Sequence, residues 1–151
     1  MSGKSEKYAL LLKQVASLTE GETNLTANLA NTAAAIHEAF GFWWTGFYLV
    51  EEKQLVLGPF QGPVACTRIP YGKGVCGTAW ERRETVIVPD VEEFPGHIAC
   101  SSASRSEIVV PLFRAGEVVG VLDIDSRELA TFDEEDAAGL EAIAAHLANL
   151  F

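Results

Sequence analysis

The chain has 151 residues, 48% of them hydrophobic, enough for one domain with a sizeable core. Its 21 acidic residues outnumber 11 basic ones, a formal net charge of −10, and no Lys/Arg run appears. That balance argues against a nucleic-acid backbone or an anionic membrane as partner, since both require a basic face.

The stretch from Met1 to Leu18 is no secretory signal, because its short apolar run is broken by Lys13 and Gln14. No stretch approaches the ~20 apolar residues of a membrane span. A soluble, cytoplasmic protein is the expectation. Tyr8, Leu11, Leu12, Val15 and Leu18 recur at helical spacing and predict a helix over 4–18. Asn24 is placed to cap a second helix over 25–40, with Leu25, Leu29, Ala33, Ile36 and Phe40 on one side and Gly41 at its end.

"FWWTGFYLV" and "KQLVLGPF" have the aromatic and β-branched character of strands and predict a hairpin turning at Glu51–Lys53. Phe42, Trp44, Gly46 and Tyr48 fall on one face; Trp43, Thr45, Phe47 and Leu49 fall on the other. Trp43 and Phe47 are expected in the core. Residues 61–72, with Gly62, Pro63, Pro70 and Gly72, read as irregular. A short helix over 74–84 and a brief strand over 85–91, stopped by Pro89, follow. Residues 92–106 are rich in Ser, Gly and Pro and lack periodicity, a loop long enough to suggest a function. Residues 107–126 predict a hairpin turning at Arg114–Glu117. Residues 131–151 predict a terminal helix, opened by Asp133 and acidic residues near its positive end. Hairpins at each end argue for an antiparallel sheet with helices to one side, an α+β arrangement.

The last strand carries the chemistry. Val119, Val121, Asp123 and Asp125 share one face, with Val118, Gly120, Leu122 and Ile124 on the other. A turn near Ala115–Gly116 brings Glu107 across from Asp123 to Asp125. Asp125 alone fits a strand-end turn, but Asp123 lies inside the strand. Three converging acids form a seat for an ammonium group. Their crowding raises at least one pKa and leaves a protonated carboxyl near neutral pH.

Cysteines stand at 66, 76 and 100, an odd number that argues against a structural disulfide framework. Cys100 sits in the long loop before Ser101 and Ser102, where hydroxyls and backbone N–H groups stabilise a thiolate. Cys76 lies in an apolar helical stretch, so plain core packing and chemistry are both open. The thiols are widely spaced, no C-x-x-C occurs, and only His97 lies near one, which disfavours a zinc motif. His97, three residues before Cys100, is placed to help stabilise a thiolate, but ordinary loop placement is the simpler reading, and His146 belongs to the terminal helix.

Three runs, "GFYLV", "IPYGKGVCGTAWERRETVIVPDV" and "SEIVVPLFRAGEVVGVLDIDS", followed by "TFDEEDAAGLEAIAAHLA", resemble a GAF domain along the whole chain. The cysteine pattern, in "GPVACTRIPYGKGVCGTA" and "HIACSSASRSEIVVPL", resembles that of the free methionine-(R)-sulfoxide reductases, GAF domains that act as enzymes. The resemblance implies one GAF domain over 1–151, α+β, with a central antiparallel sheet of about six strands and helices mainly on one face. It implies an oxidoreductase, an L-methionine (R)-S-oxide reductase, in which Cys100 attacks the sulfoxide and becomes a sulfenic acid. Cys66 is then implied as the resolving thiol, Cys76 as a relay or alternative disulfide partner, and a thioredoxin-type protein as the external reductant. No bound cofactor and no metal are implied. Trp44 and Tyr48 match positions that wall the substrate pocket. Glu107, Asp123 and Asp125 are implied to hold the substrate and supply a proton, with Asp125 or Asp123 the acid and Glu107 mainly on the ammonium. GAF relatives often pair, which makes a homodimer the candidate assembly. A small-molecule GAF sensor and a thiol redox sensor are the competing readings.

Overall fold

Capping residues set the second helix. The structure is a computed structural model and describes residues 3–98 and 103–151. α1 spans Gly3–Thr19 and α2 spans Leu25–Phe40. Asn24 Oδ1 accepts from the Ala27 N–H at 2.9 Å, and Gly41 closes α2 in the left-handed conformation, φ 68°. β1 (Trp44–Glu51) and β2 (Gln54–Gln61) form the first hairpin. α3 (Gly74–Arg82), β4 (Val86–Val88) and a 3-10 turn at Val91–Glu93 follow. The second hairpin is β5 (Ser106–Arg114) with β6 (Glu117–Ser126), and α4 (Glu134–Ala148) ends the fold.

Two expectations are corrected at the level of elements. Residues 61–72 are not wholly irregular, because Arg68–Pro70 forms β3 against β2. Pro70 pairs with Gln54 in an edge strand, where a residue without an N–H can sit without breaking a ladder. The terminal helix starts at Glu134, not Thr131, because Asp133 is its N-cap. The Asp133 side chain accepts from the Glu135 and Asp136 N–H groups, and the Asp136 side chain accepts from the Asp133 N–H.

The sheet has six strands in the order β3-β2-β1-β6-β5-β4, with every neighbouring pair antiparallel. It divides the interior in two. On one face α1, α2 and α4 pack over Phe47, Ile108, Val110, Leu112, Leu122 and Ile124. Tyr8 of α1 donates its hydroxyl to Asp136 Oδ1 at 2.6 Å, and Lys4 Nζ lies 2.9 Å from Asp136 Oδ2, which ties α1 to α4. On the other face α3 sets Val75, Cys76 and Ala79 over Tyr48, Val109 and Val121. Helices therefore lie mainly on one face, with α3 on the opposite side.

β6 does not alternate evenly from end to end. Leu112 pairs with Gly120 but Phe113 pairs with Val118, so a bulge leaves Val119 out of the ladder. Val119 packs against the helix-side core instead of sharing a face with Val121. From Gly120 onward the expected alternation holds, and it delivers Asp123 and Asp125 to the α3 side.

Candidate active site

The register assembles the site. Trp44 pairs with Asp125, Gly46 with Asp123 and Tyr48 with Val121 across β1 and β6. Glu107 pairs directly with Asp125 across β5 and β6, and Val88 of β4 pairs with Glu107 from the other side. Cross-strand partners on one face lie within side-chain reach. Two aromatic residues and three acids thus share one patch of sheet.

Gly46 makes room for the aromatic wall. A Cβ there would come within 2.3 Å of Phe60 Cβ and within 2.7 and 2.9 Å of the Trp44 ring. Without it the Trp44 indole lies flat against Phe60, centroids 5.2 Å apart and 15° between planes, and stacks on Tyr48 at 6.0 Å. Both polar tips are fixed. Trp44 Nε1–H donates to Pro63 O at 3.0 Å, and the Tyr48 hydroxyl donates to Cys66 O at 2.7 Å. The wall is therefore tied to the 62–67 segment that carries Cys66.

A cavity of about 50 Å³ lies on this face. Trp44, Tyr48, Cys76, Glu107, Asp123 and Asp125 all line it. These are six of the eight residues singled out in the sequence. Cys66 stands beside it, packed against the same cluster, and its neighbour Ala65 contributes to the lining. Cys100 lies outside the described residues.

The acids differ in their surroundings. Burial pushes Glu107 well above the usual carboxylate range, and the charges of Asp123 and Asp125 act in the same direction. Asp125 is likewise pushed well up, by burial first and the Asp123 charge second. The Ser104 hydroxyl, donating to Asp125 Oδ1 at 2.9 Å, opposes that rise. Burial raises Asp123 too, but contacts with the Glu107, Cys76 and Asp125 side chains and the His97 ring pull it back. Glu107 and Asp125 therefore favour holding protons, while Asp123 is the best supported carboxylate of the three. Asp123 Oδ1 is nonetheless buried with no hydrogen-bond partner among the described residues. An orphaned buried acceptor of this kind is costly unless something else satisfies it.

Cys76 is more than core filling. It is a free, buried thiol. Its sulfur and one oxygen each from Glu107 and Asp123 lie within 4.8 Å of one another. Burial and the surrounding acids push the thiol well above its usual range, which keeps it protonated. Burial lowers His97, also on the cavity, and this favours its neutral ring, although Asp123 and Glu92 act the other way.

Trp43, His97 and Ser104 are among the lining residues not assigned from sequence. Trp43, expected in the core, is half-buried on the cavity with the Arg127 guanidinium 4.7 Å from its ring centroid. β1 begins only at Trp44, so strand alternation does not govern Trp43. Phe47 is fully buried in the helix-side core, as expected. His97 and Ser104 lie within the long 92–106 segment, and that placement was their only signal.

Comparison with known proteins agrees with the resemblance. The family model described as GAF domain matches residues 21–151. GAF domain-containing protein A of Dictyostelium discoideum is 59% identical over 97% of this chain and 93% of its own length. The free methionine-R-sulfoxide reductase of Escherichia coli is 50% identical over 95% of this chain and 88% of its own. The crystal structure of free methionine-R-sulfoxide reductase from Neisseria meningitidis in complex with its substrate superposes with a TM-score of 0.97. It is 57% identical and covers 100% of this chain and 92% of that one.

Proposed function

This chain belongs to the GAF domain family, and from its acid-lined cavity we propose that it reduces free methionine-(R)-sulfoxide to methionine. The observation that carries the reading is the buried Asp123 oxygen that has no hydrogen-bond partner among the described residues, on a cavity that Glu107, Asp125, Trp44 and Tyr48 also line. A free amino acid brings an α-ammonium to satisfy that oxygen, and a methionine within a polypeptide brings none. The name borne by the Escherichia coli and Neisseria meningitidis relatives supports the same substrate. An acidic cavity repels phosphate, which speaks against a cyclic-nucleotide sensor.

In this reading the aromatic wall encloses the S-methyl end and faces the positive charge on sulfur. The Cys100 thiolate attacks the sulfoxide sulfur while Asp125 gives its proton to the oxygen. Methionine leaves, and the oxygen remains on Cys100 as a sulfenic acid, so the cysteine sulfur supplies both electrons. The Cys66 thiol then displaces water to form a disulfide. Cys66 is held in a disulfide whereas Cys76 is a free thiol, which supports Cys66 as the resolving residue. A thioredoxin-type dithiol supplies two electrons and two protons to reopen the bond.

The test is incubation with each sulfoxide epimer and dithiothreitol, with methionine quantified. Methionine from the R epimer alone is expected. No methionine, or equal amounts from both epimers, overturns the proposal.

A further inference from the structure

We propose that Cys76, Glu107 and Asp123 form a binding site for a thiophilic divalent cation such as zinc, and that the cation and the substrate's ammonium exclude each other. Three donor atoms, one sulfur and two carboxylate oxygens, lie within 4.8 Å of one another on three buried residues. Zinc sits about 2.3 Å from sulfur and about 2.0–2.2 Å from oxygen, so small side-chain movements close the set around one ion. A thiolate with two carboxylates selects zinc or cobalt over magnesium or calcium.

A second observation points to a ligand. Asp123 is 6% exposed, lines the cavity, and has an oxygen with no hydrogen-bond partner among the described residues. A dication held by the Asp123 carboxylate compensates for the missing partner and offsets the repulsion among the acids. Three protein donors leave a fourth position for water, on the same cavity as the His97 ring. Binding displaces the Cys76 proton to solvent and changes no oxidation state. The donors come from α3, β5 and β6, so no linear spacing announces them.

Mutual exclusion rests on the reductase reading, because Glu107 and Asp123 are the groups assigned there to the ammonium. Cation binding itself does not rest on it.

The site is tested with the Cys66→Ser/Cys100→Ser double variant, in which Cys76 is the remaining thiol. Titration with Co²⁺ is expected to produce a thiolate-to-cobalt charge-transfer band that saturates at one equivalent and is bleached by Zn²⁺. Adding Cys76→Ser should abolish the band, and adding Asp123→Asn should weaken binding about tenfold or more. No band, or a band indifferent to Asp123→Asn, overturns the site. Calorimetric titration of the reduced wild-type chain with Zn²⁺ guards against a misfolded variant, and absence of heat there overturns it equally. Methionine sulfoxide should displace cobalt from the double variant. Failure to do so, while chelator-treated wild type still forms methionine, overturns mutual exclusion alone. Methionine absent from the chelator-treated enzyme overturns the reductase reading and leaves the cation site standing.

Discussion

The Ser104 hydroxyl donates to Asp125 Oδ1 at 2.9 Å across 21 residues of chain. It ties the far end of the 92–106 segment to the acid that the proposed mechanism uses. The bond favours ionised Asp125 and restrains the rise that burial imposes. Ser104→Ala removes the restraint, so Asp125 should hold its proton to higher pH. The alkaline limb of the kcat/KM profile should shift upward, and Ser104→Thr should restore it. An unmoved limb would mean that Asp125 is not the proton donor.

Folding stability should fall as pH rises above the ordinary carboxylate range. Burial, then neighbouring negative charge, raises Glu107 and Asp125 in the folded state. The folded chain therefore binds more protons than the unfolded one. Their contribution is fully present below about pH 4, where unfolded carboxyls are protonated, and is lost as pH passes the raised folded values. Urea midpoints should be higher at mildly acidic than at alkaline pH. Asp123→Asn removes the charge that both residues face, so it should flatten the slope and raise the midpoint at alkaline pH. A midpoint that climbs steadily toward alkaline pH in wild type would refute this.

Gly46→Ala should damage stability and substrate binding together. The added carbon meets Phe60 Cβ and the Trp44 ring well inside contact distance. Overpacking of that kind costs about 1–3 kcal/mol. Because the Trp44 indole must move, KM should rise more than kcat falls. Chemical denaturation and steady-state kinetics on one preparation measure both effects.

Tyr8→Phe separates the fold from the site. It deletes the 2.6 Å hydrogen bond to buried Asp136 on the helix face of the sheet, away from the cavity. A buried hydrogen bond to a charged group is worth about 2 kcal/mol. The melting temperature should drop while kcat/KM stays at the wild-type value. A matching loss of activity at a temperature where the variant is folded would show coupling between the two faces.

Features set by near neighbours were legible in the sequence. Asn24 and Gly41 bound α2 at the residues expected, since cap and stop chemistry act within a few residues. The turn between β5 and β6 fixes the register that sets Glu107 opposite Asp125. Features set at long range were not. β3 is three residues held by pairing with β2, and its own composition carries no strand pattern. The bulge at Val119 is an offset between two strands, so neither strand shows it alone. Trp43, His97 and Ser104 reach the cavity because separate segments converge, and Cys76 meets the acids because α3 lies across β5 and β6. Cys100 lies outside the described residues, so its role rests on the resemblance.

Glu107, Asp123 and Asp125 hang from adjacent central strands whose reverse side is clamped by three helices. That backing holds the strands that carry the acids, so the acids stay together at the level of the backbone. The pocket answers added negative charge chemically, by capturing a proton or a cation, with adjustment left to the side chains.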